Sequence, residues 1–308
     1  MSAMKILITG GSGFLGRNLT KYLQQQGHQI MSLSSKEFDL TDPLSLQKIQ
    51  NPGFDQIYHL AAWTQAGDFC LHHAGEQWII NQKINTNVLA WWQKYSPQAK
   101  MVAMGTSASY STESNLIETK YLEGLPNDKF YAYAMSKRML LVGLESLHKQ
   151  FGLDYLYVIP STIFGPDYHT DNRQMHFIYD LIRKILLGKM NNTPVILWGD
   201  GYQERELIYI DDFVKLLYSL NQVCSNEIFN IASGKSHTIR EFAEIICGIV
   251  GYDSSKIQYD VAGYVGARSK VLNIDKLSTK INIEQLPLIA GIENTVHWMQ
   301  QEFLKNNH

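Results

Sequence analysis

A short apolar strand running straight into a glycine loop limits this chain more than any other feature. Lys5-Ile6-Leu7-Ile8-Thr9 is apolar and β-branched, the pattern of a parallel strand buried on both faces. Gly10, Gly13 and Gly16 follow at once, and Phe14, Leu15, Leu19, Tyr22 and Leu23 then recur at helical spacing. Strand, glycine loop and helix in that order is the context in which a glycine fingerprint carries meaning. Gly10 permits the tight turn, Gly13 lets backbone N–H groups approach a pyrophosphate, and Gly16 lets the helix pack on the strand. The helix start, at Phe14 and Leu15, adds unpaired donors and a partial positive charge. The spacing is G-x-x-G-x-x-G; the alternative it leaves open is a tight structural turn.

Such a start predicts an α/β chain, and 308 residues are enough for a doubly wound sheet with a second, smaller lobe. A net charge of −2 gives no electrostatic case for a nucleic-acid or membrane partner. Cys70, Cys224 and Cys247 are far apart and odd in number, with no metal-ligand spacing, so they read as free thiols in a reducing compartment. Neither a leader pattern nor a long uncharged apolar run is visible, and a soluble cytoplasmic protein without a metal is expected.

The second strand, Gln29 to Ser34, ends where a dinucleotide's adenosine ribose lies. Its tip reads Ser34-Ser35-Lys36, with no acid before Glu37, which suits the 2′-phosphate of NADP better than the bare ribose of NAD. Asp39 is placed against the adenine with Leu40 beside it, and Thr41 or Asp42 is expected to cap a helix begun at Pro43. Strand Gln56 to Leu60 leads into Ala61-Ala62, small enough for backbone to lie against the middle of the cofactor. His59 reads as a packed strand residue, and the helix from Trp78 to Trp92 as carrying core or interface aromatics.

A fourth strand, Lys100 to Gly105, delivers Thr106-Ser107-Ala108 at its carboxyl end, where ligands bind in open α/β sheets. Tyr133 and Lys137, four apart, share one face of the next helix. An ammonium beside a phenol favours the phenolate, so Lys137 is expected to lower the Tyr133 pKa and make it a proton donor or acceptor. Thr106 adds a hydroxyl to the same substrate oxygen. A strand from Asp154 to Ile159 then reaches Pro160, on the cofactor side, and the second lobe begins near there. The predicted division is 1–162 with about 203–232 for the dinucleotide-binding part, and 163–202 with 233–308 for the substrate lobe.

These residues resemble the extended short-chain dehydrogenase/reductase family, which acts on nucleotide sugars, over nearly the whole chain. The resemblance rests on Gly10, Gly13 and Gly16, His59-Leu60-Ala61-Ala62, Thr106, Tyr133-x-x-x-Lys137, Phe164-Gly165-Pro166, Arg205-Glu206-x-x-Tyr209-x-Asp211-Asp212 and Asn230-Ile231-Ala232. Trp198-Gly199-x-Gly201, Thr238 to Ala243 and Ser269 to Asn273 are similar to its GDP-fucose synthase group. The family implies a Rossmann domain, a smaller C-terminal α/β lobe, and a homodimer through two helices, here those containing Trp91 and Met139.

It also implies roles. Thr106, Tyr133, Lys137 and His176 are catalytic; Ser107, Ala108, Thr162, His176 again, Trp198, Arg205 and Arg268 face the substrate. Arg205 matches the arginine that contacts the nucleotide diphosphate, while Arg268 and Lys270 are offset by one residue. Ser107 and Ala108 replace the acid pair of sugar dehydratases, so dehydration is not expected. Ala108 also replaces a cysteine used in epimerisation, leaving His176 alone of that pair, and Thr162 stands for an asparagine. The implied reaction is NADPH-dependent reduction at C4 of a nucleotide-activated 4-keto sugar, GDP-linked and 6-deoxy or related, with at most limited epimerisation. A C4 epimerase or dehydrogenase with tightly bound NAD is the alternative, and a redox-sensing binding protein on the same fold is a third reading.

Overall fold

The computed structural model describes residues 2–49, 52–171, 173–262 and 268–306. The first half runs β1 (Lys5–Thr9), α1 (Phe14–Gln25), β2 (Gln29–Leu33), β3 (Gln56–His59), α2 (Phe69–His72), α3 (Ala74–Tyr95), β4 (Lys100–Met104), α4 (Tyr131–Phe151) and β5 (Tyr155–Pro160). Then come β6 (Thr162–Phe164), α5 (Phe177–Asn191), β7 (Val195–Trp198), β8 (Glu204–Tyr209), α6 (Ile210–Val223) and β9 (Glu227–Ile231). The chain closes with β10 (Ser236–Thr238), α7 (Ile239–Val250), β11 (Ile257–Asp260), α8 (Asp275–Ser278) and α9 (Leu288–Asn306).

Six parallel strands in the order β2-β1-β3-β4-β5-β9 form the central sheet. Its strands alternate between two cores, as period-two geometry demands. Leu7, Ile57, Met101, Ala103 and Tyr157 face the layer of α3 and α4, with Val88, Trp92, Leu140 and Leu144. Ile6, Ile8, Tyr58, Val102 and Val158 face the layer of α1 and α6, with Leu19, Leu23, Phe213 and Leu217. Both sides are therefore covered, which explains why the strands read as unbroken apolar runs. The result is a Rossmann-like doubly wound sheet. Trp91 and Trp92 belong to its core, and the Trp92 indole N–H donates to the Ala99 carbonyl at 2.8 Å.

A second lobe is built on α5, α7 and α9, which share a core including Ile182, Ile185, Phe242, Ile246, Ile292 and Val296. Thr238 and Glu241 start α7 with a reciprocal cap, each side chain accepting from the other's backbone N–H. β8 pairs with β6 and β10 in a three-stranded sheet, and its Ile208 packs into the main core together with α6 and β9. The expected helix after Pro43 is replaced by a single 3-10 turn over Ser45–Lys48. Asp42 still caps locally, accepting from the Leu44 N–H at 2.9 Å. Among the described residues, no helix is long and apolar enough to cross a membrane, and Cys70, Cys224 and Cys247 are buried free thiols.

Candidate active site

The sheet order reverses between β1 and β3, and a ligand crevice opens outside the carboxyl ends of strands at such a point. The glycine loop leaves β1 there. Gly10 is left-handed, with φ +70°, and a Cβ on it would lie 2.8 Å from the Ala61 nitrogen. A Cβ on Gly16 would lie 2.3 Å from the Gly10 carbonyl, so α1 can start this close to β1 only with glycine at both places. Gly13 is the N-cap of α1 and offers no side chain; the first intrahelical bond is Arg17 N–H to the Gly13 carbonyl, 2.9 Å. The N–H groups of Phe14, Leu15 and Gly16 thus have no acceptor within the helix. This cradle of bare backbone donors fits a pyrophosphate. Leu60, Ala61 and Ala62 are half-buried beside it.

At the tip of β2, Ser35 and Lys36 are exposed, while the chain turns back so that Ser34 Oγ donates to Glu37 Oε2 at 3.0 Å. An acid absent from the tip in sequence is therefore present there in space. Asp39 is committed locally: its Oδ1 accepts from Thr41 N–H at 2.9 Å and Thr41 Oγ1 at 2.7 Å, which holds the carboxyl below its usual range. Leu40 is buried, its carbonyl accepting from Asn87.

Tyr133 and Lys137 share one face of α4, the Lys137 Nζ lying 5.9 Å from the centre of the Tyr133 ring. Their titration differs from the sequence expectation. Burial pushes the Tyr133 phenol well up, opposed by a hydrogen bond with Thr64, and the same burial pushes Lys137 down to about 8. Loss of water leads in both shifts, as burial disfavours whichever form is charged. Thr106 caps a 3-10 turn over Ser107–Ser109, its Oγ1 accepting from the Ala108 N–H at 3.2 Å. A hydrogen-bond chain ties it to α4. The Thr106 N–H donates to the Tyr121 hydroxyl at 3.3 Å, which bonds the Tyr157 hydroxyl at 3.0 Å, which donates to the Lys137 carbonyl at 2.7 Å. Arg138 completes the frame, its guanidinium donating to the carbonyls of Ser109, Leu122, Glu123 and Gly124.

Behind this centre lies a polar stripe on α3 that sequence reading missed. Gln77, Asn81 and Asn85 are buried at four-residue spacing, so they stand on one helical face. Asn85 donates to the Ser136 carbonyl at 3.3 Å and accepts from His59 Nε2 at 3.0 Å; His59 Nδ1 then accepts from Thr9 Oγ1 at 2.8 Å. His59 is a packed strand residue, pushed down to about 4 by burial. Asn81 holds the Trp63 backbone from both sides, accepting from its N–H and donating to its carbonyl. Three buried amides in register on an otherwise amphipathic helix were the available signal.

The second lobe contributes from its loops. His176, at the start of α5, is pushed down to about 4 by burial, with His169 adding to the effect. Tyr168 stacks on Tyr179 at 4.1 Å and meets Phe14 of the glycine loop edge-on at 5.2 Å. Gln174 is bonded twice to Asp68, tying the segment after β3 to the second lobe. Pro160 ends β5 and Thr162 begins β6, both half-buried. Trp198 is 60% exposed, with Lys184 Nζ 5.7 Å from its ring centre; Lys184, eight residues past His176 on α5, was not singled out from sequence. Arg205 lies on β8 near Lys270, whose ammonium is pushed down to about 8 by burial and by that guanidinium. Arg268 is exposed, and its carbonyl accepts from the Glu204 N–H at 2.7 Å. Among the described residues, no cluster of three His, Cys, Asp or Glu could hold a metal.

Residues 6–232 match the family model described as NAD dependent epimerase/dehydratase family. The chain is 27% identical to a GDP-L-colitose synthase of Yersinia pseudotuberculosis, over 99% of this chain and 100% of that protein. It is 26% identical to a GDP-L-fucose synthase of Escherichia coli, over 99% of this chain and 98% of that protein. Its fold is similar to that of a GDP-mannoheptose C4 reductase from Campylobacter jejuni, solved with NADP bound. That likeness has a TM-score of 0.86 at 20% identity and covers 97% of this chain and 99% of the other. With a match across most of its length and a glycine cradle shaped for a pyrophosphate, the chain belongs to the NAD dependent epimerase/dehydratase family and is an NAD(P)-dependent enzyme.

Proposed function

We propose that this enzyme uses NADPH to reduce a GDP-linked 4-keto sugar, 6-deoxy or closely related, at C4. One observation carries the reading: Tyr133 and Lys137 share a face of α4, with Lys137 Nζ 5.9 Å from the phenol ring centre, and Thr106 is tied to the same helix through Tyr121 and Tyr157. When bound, NADPH would supply the hydride for C4. Tyr133 gives its proton to the C4 oxygen, Lys137 holds the cofactor's ribose and balances the phenolate, and Thr106 bonds the reacting oxygen. The ketone becomes an alcohol, and the phenolate recovers a proton from water after release. Gly10, Gly13 and the N–H groups of Phe14, Leu15 and Gly16 hold the pyrophosphate. Two neighbouring cations, Arg205 and Lys270, suit the diphosphate of a nucleotide sugar better than Arg205 with Arg268. The names of the curated relatives support GDP as the nucleotide.

Ser107 and Ala108 supply no acid/base pair, so any epimerisation falls to neutral His176. Exposed Ile79 on α3 and Met139 on α4 support a homodimer through these helices, and the proposed location is the cytoplasm. NADP is favoured by Ser35 and Lys36 at the β2 tip. The Glu37 carboxylate beside Ser34 favours a second reading, a C4 epimerase or dehydrogenase holding NAD. Loss of NADPH absorbance with GDP-4-keto-6-deoxymannose tests the first reading, and Tyr133→Phe should lower turnover by roughly 10²–10⁴ while leaving cofactor affinity within about twofold. Turnover near that of the wild type in this variant refutes the assignment. NAD released on denaturation would favour the second reading.

A further inference from the structure

We infer that Tyr121 and Tyr157 form a buried spacer that fixes where the Thr106 hydroxyl stands against the helix carrying Tyr133 and Lys137, so that both tyrosines are positioning residues acting through Thr106. This rests on Thr106 and Tyr133 meeting one substrate oxygen, as proposed above. Thr106 follows β4 and Tyr133 lies in the first turn of α4, and the loop between them is too long to set their separation. The polarity of the spacer follows from its ends. The Lys137 carbonyl can only accept, so the single proton of Tyr157 goes there, at 2.7 Å. The Tyr157 oxygen is left to accept from Tyr121 at 3.0 Å. Tyr121, its proton spent, accepts from the Thr106 N–H at 3.3 Å. Each bond therefore has one allowed direction, and a backbone donor beside the sheet is joined to a backbone acceptor on the helix.

The spacer is rigid. Both tyrosines are fully buried, so water cannot replace a lost link. A Cβ on Gly105, the residue before Thr106, would lie 2.7 Å from Tyr157 Cε1 and 2.8 Å from the Tyr121 oxygen, so the two side chains press on the backbone itself. The Tyr121 ring packs edge-on with Tyr110 at 5.2 Å and with Tyr157 at 5.6 Å. Tyr110 is anchored in turn, its hydroxyl donating to Asn230 Oδ1 at 2.8 Å. At Thr106 the spacer takes the N–H, while the Ala108 N–H takes a lone pair of Oγ1 at 3.2 Å. The Thr106 hydroxyl keeps its one proton for the substrate oxygen. The far end of the same turn is held separately, by Ser109 Oγ donating to the Ala134 carbonyl and by Arg138 donating to the Ser109 carbonyl. The tyrosines thus govern the Thr106 end, where a misplacement of ~1 Å costs about 10²-fold in rate.

The test uses NADPH and GDP-4-keto-6-deoxymannose with Tyr121→Phe, Tyr157→Phe and Thr106→Ala, singly and with each phenylalanine combined with Thr106→Ala. Each phenylalanine keeps its ring and loses one hydroxyl, and should lower kcat roughly tenfold to a hundredfold with KM and NADPH affinity within about twofold. In the Thr106→Ala background the same changes should cost less than about twofold, because the side chain they act through is gone. An equal loss in both backgrounds overturns the inference, as does an unchanged kcat in both phenylalanine variants when Thr106→Ala lowers it. Should one phenylalanine variant fail to fold, the other carries the comparison. An independent readout is the backbone amide of Thr106 in protein labelled at threonine nitrogen, identified as the resonance missing from Thr106→Ala. It should move upfield and exchange faster with solvent in Tyr121→Phe; an amide that does neither also overturns the inference. If Thr106→Ala keeps its turnover, the catalytic reading of Thr106 fails instead, and the amide alone decides whether the tyrosines position that residue.

Discussion

Replacing Lys137 by methionine should make the empty protein more stable while destroying its activity. The Lys137 side chain is 3% exposed, and burial pushes its pKa to about 8. In an unfolded chain a lysine titrates near ~10.4. A gap of roughly two units, at about 1.4 kcal/mol per unit, means that folding gives up about 3 kcal/mol at neutral pH to hold this ammonium out of water. Between pH of about 8 and the unfolded value, the unfolded state binds more protons, so wild-type stability rises with pH across that window. Below it both states are protonated and the cost is constant. Methionine fills a similar stem volume and needs no hydration. Lys137→Met should therefore raise the melting midpoint at pH 7 by several degrees, at about 2–4 °C per kcal/mol for a large domain. The advantage should shrink as pH approaches ~10. Turnover should fall at least ~10²-fold, and added NADPH should stabilise the variant less than wild type. Thermal melts of both proteins at pH 7 and pH 10, with and without NADPH, provide the check. A variant that melts at or below wild type at pH 7, or an advantage that persists unchanged at pH 10, refutes the reasoning.

Gly16→Ala places a methyl 2.3 Å from the Gly10 carbonyl, a backbone atom that cannot step aside. A loss of roughly 1–3 kcal/mol and at least ~10-fold weaker NADPH binding are expected, and a native melt with native affinity would disprove the cradle. Arg138→Leu strips donors from four carbonyls of the segment between Ser109 and Gly124. It should cost about 3 kcal/mol in denaturant titrations and speed amide exchange in that segment first; uniform exchange across the protein would contradict a local clamp. Arg205→Ala should raise KM for the sugar nucleotide roughly tenfold, whereas Arg268→Ala should leave it within about twofold. The reverse ranking in steady-state kinetics would exchange their roles.

Much of this architecture could be read before any coordinates. The β1–glycine–α1 unit is encoded within fifteen neighbouring residues, where spacing alone dictates the turn and the helix start. Tyr133 and Lys137 were legible for the same reason, since four residues on a helix must share a face. Helix α5 and strand β7 of the second lobe were equally local. Glu37 was not: it reaches Ser34 only because the chain turns back at the tip of β2. Gln77 and Thr64 lie on separate elements, and nothing in either neighbourhood announces the bond between them. The partners chosen by β8 depended on which edge the second lobe presented.

The amino-acid sequence by itself determined the order of elements, the glycine cradle and the pairing of Tyr133 with Lys137 on one helical face, because each follows from covalent geometry and short-range periodicity. Tertiary structure alone decided how those groups titrate. Whether a phenol is raised by lost water or lowered by an ammonium depends on everything packed around it, and that surrounding is assembled from α2, α3, α4 and β5 at once. Desolvation is a property of the whole fold; spacing is a property of the chain.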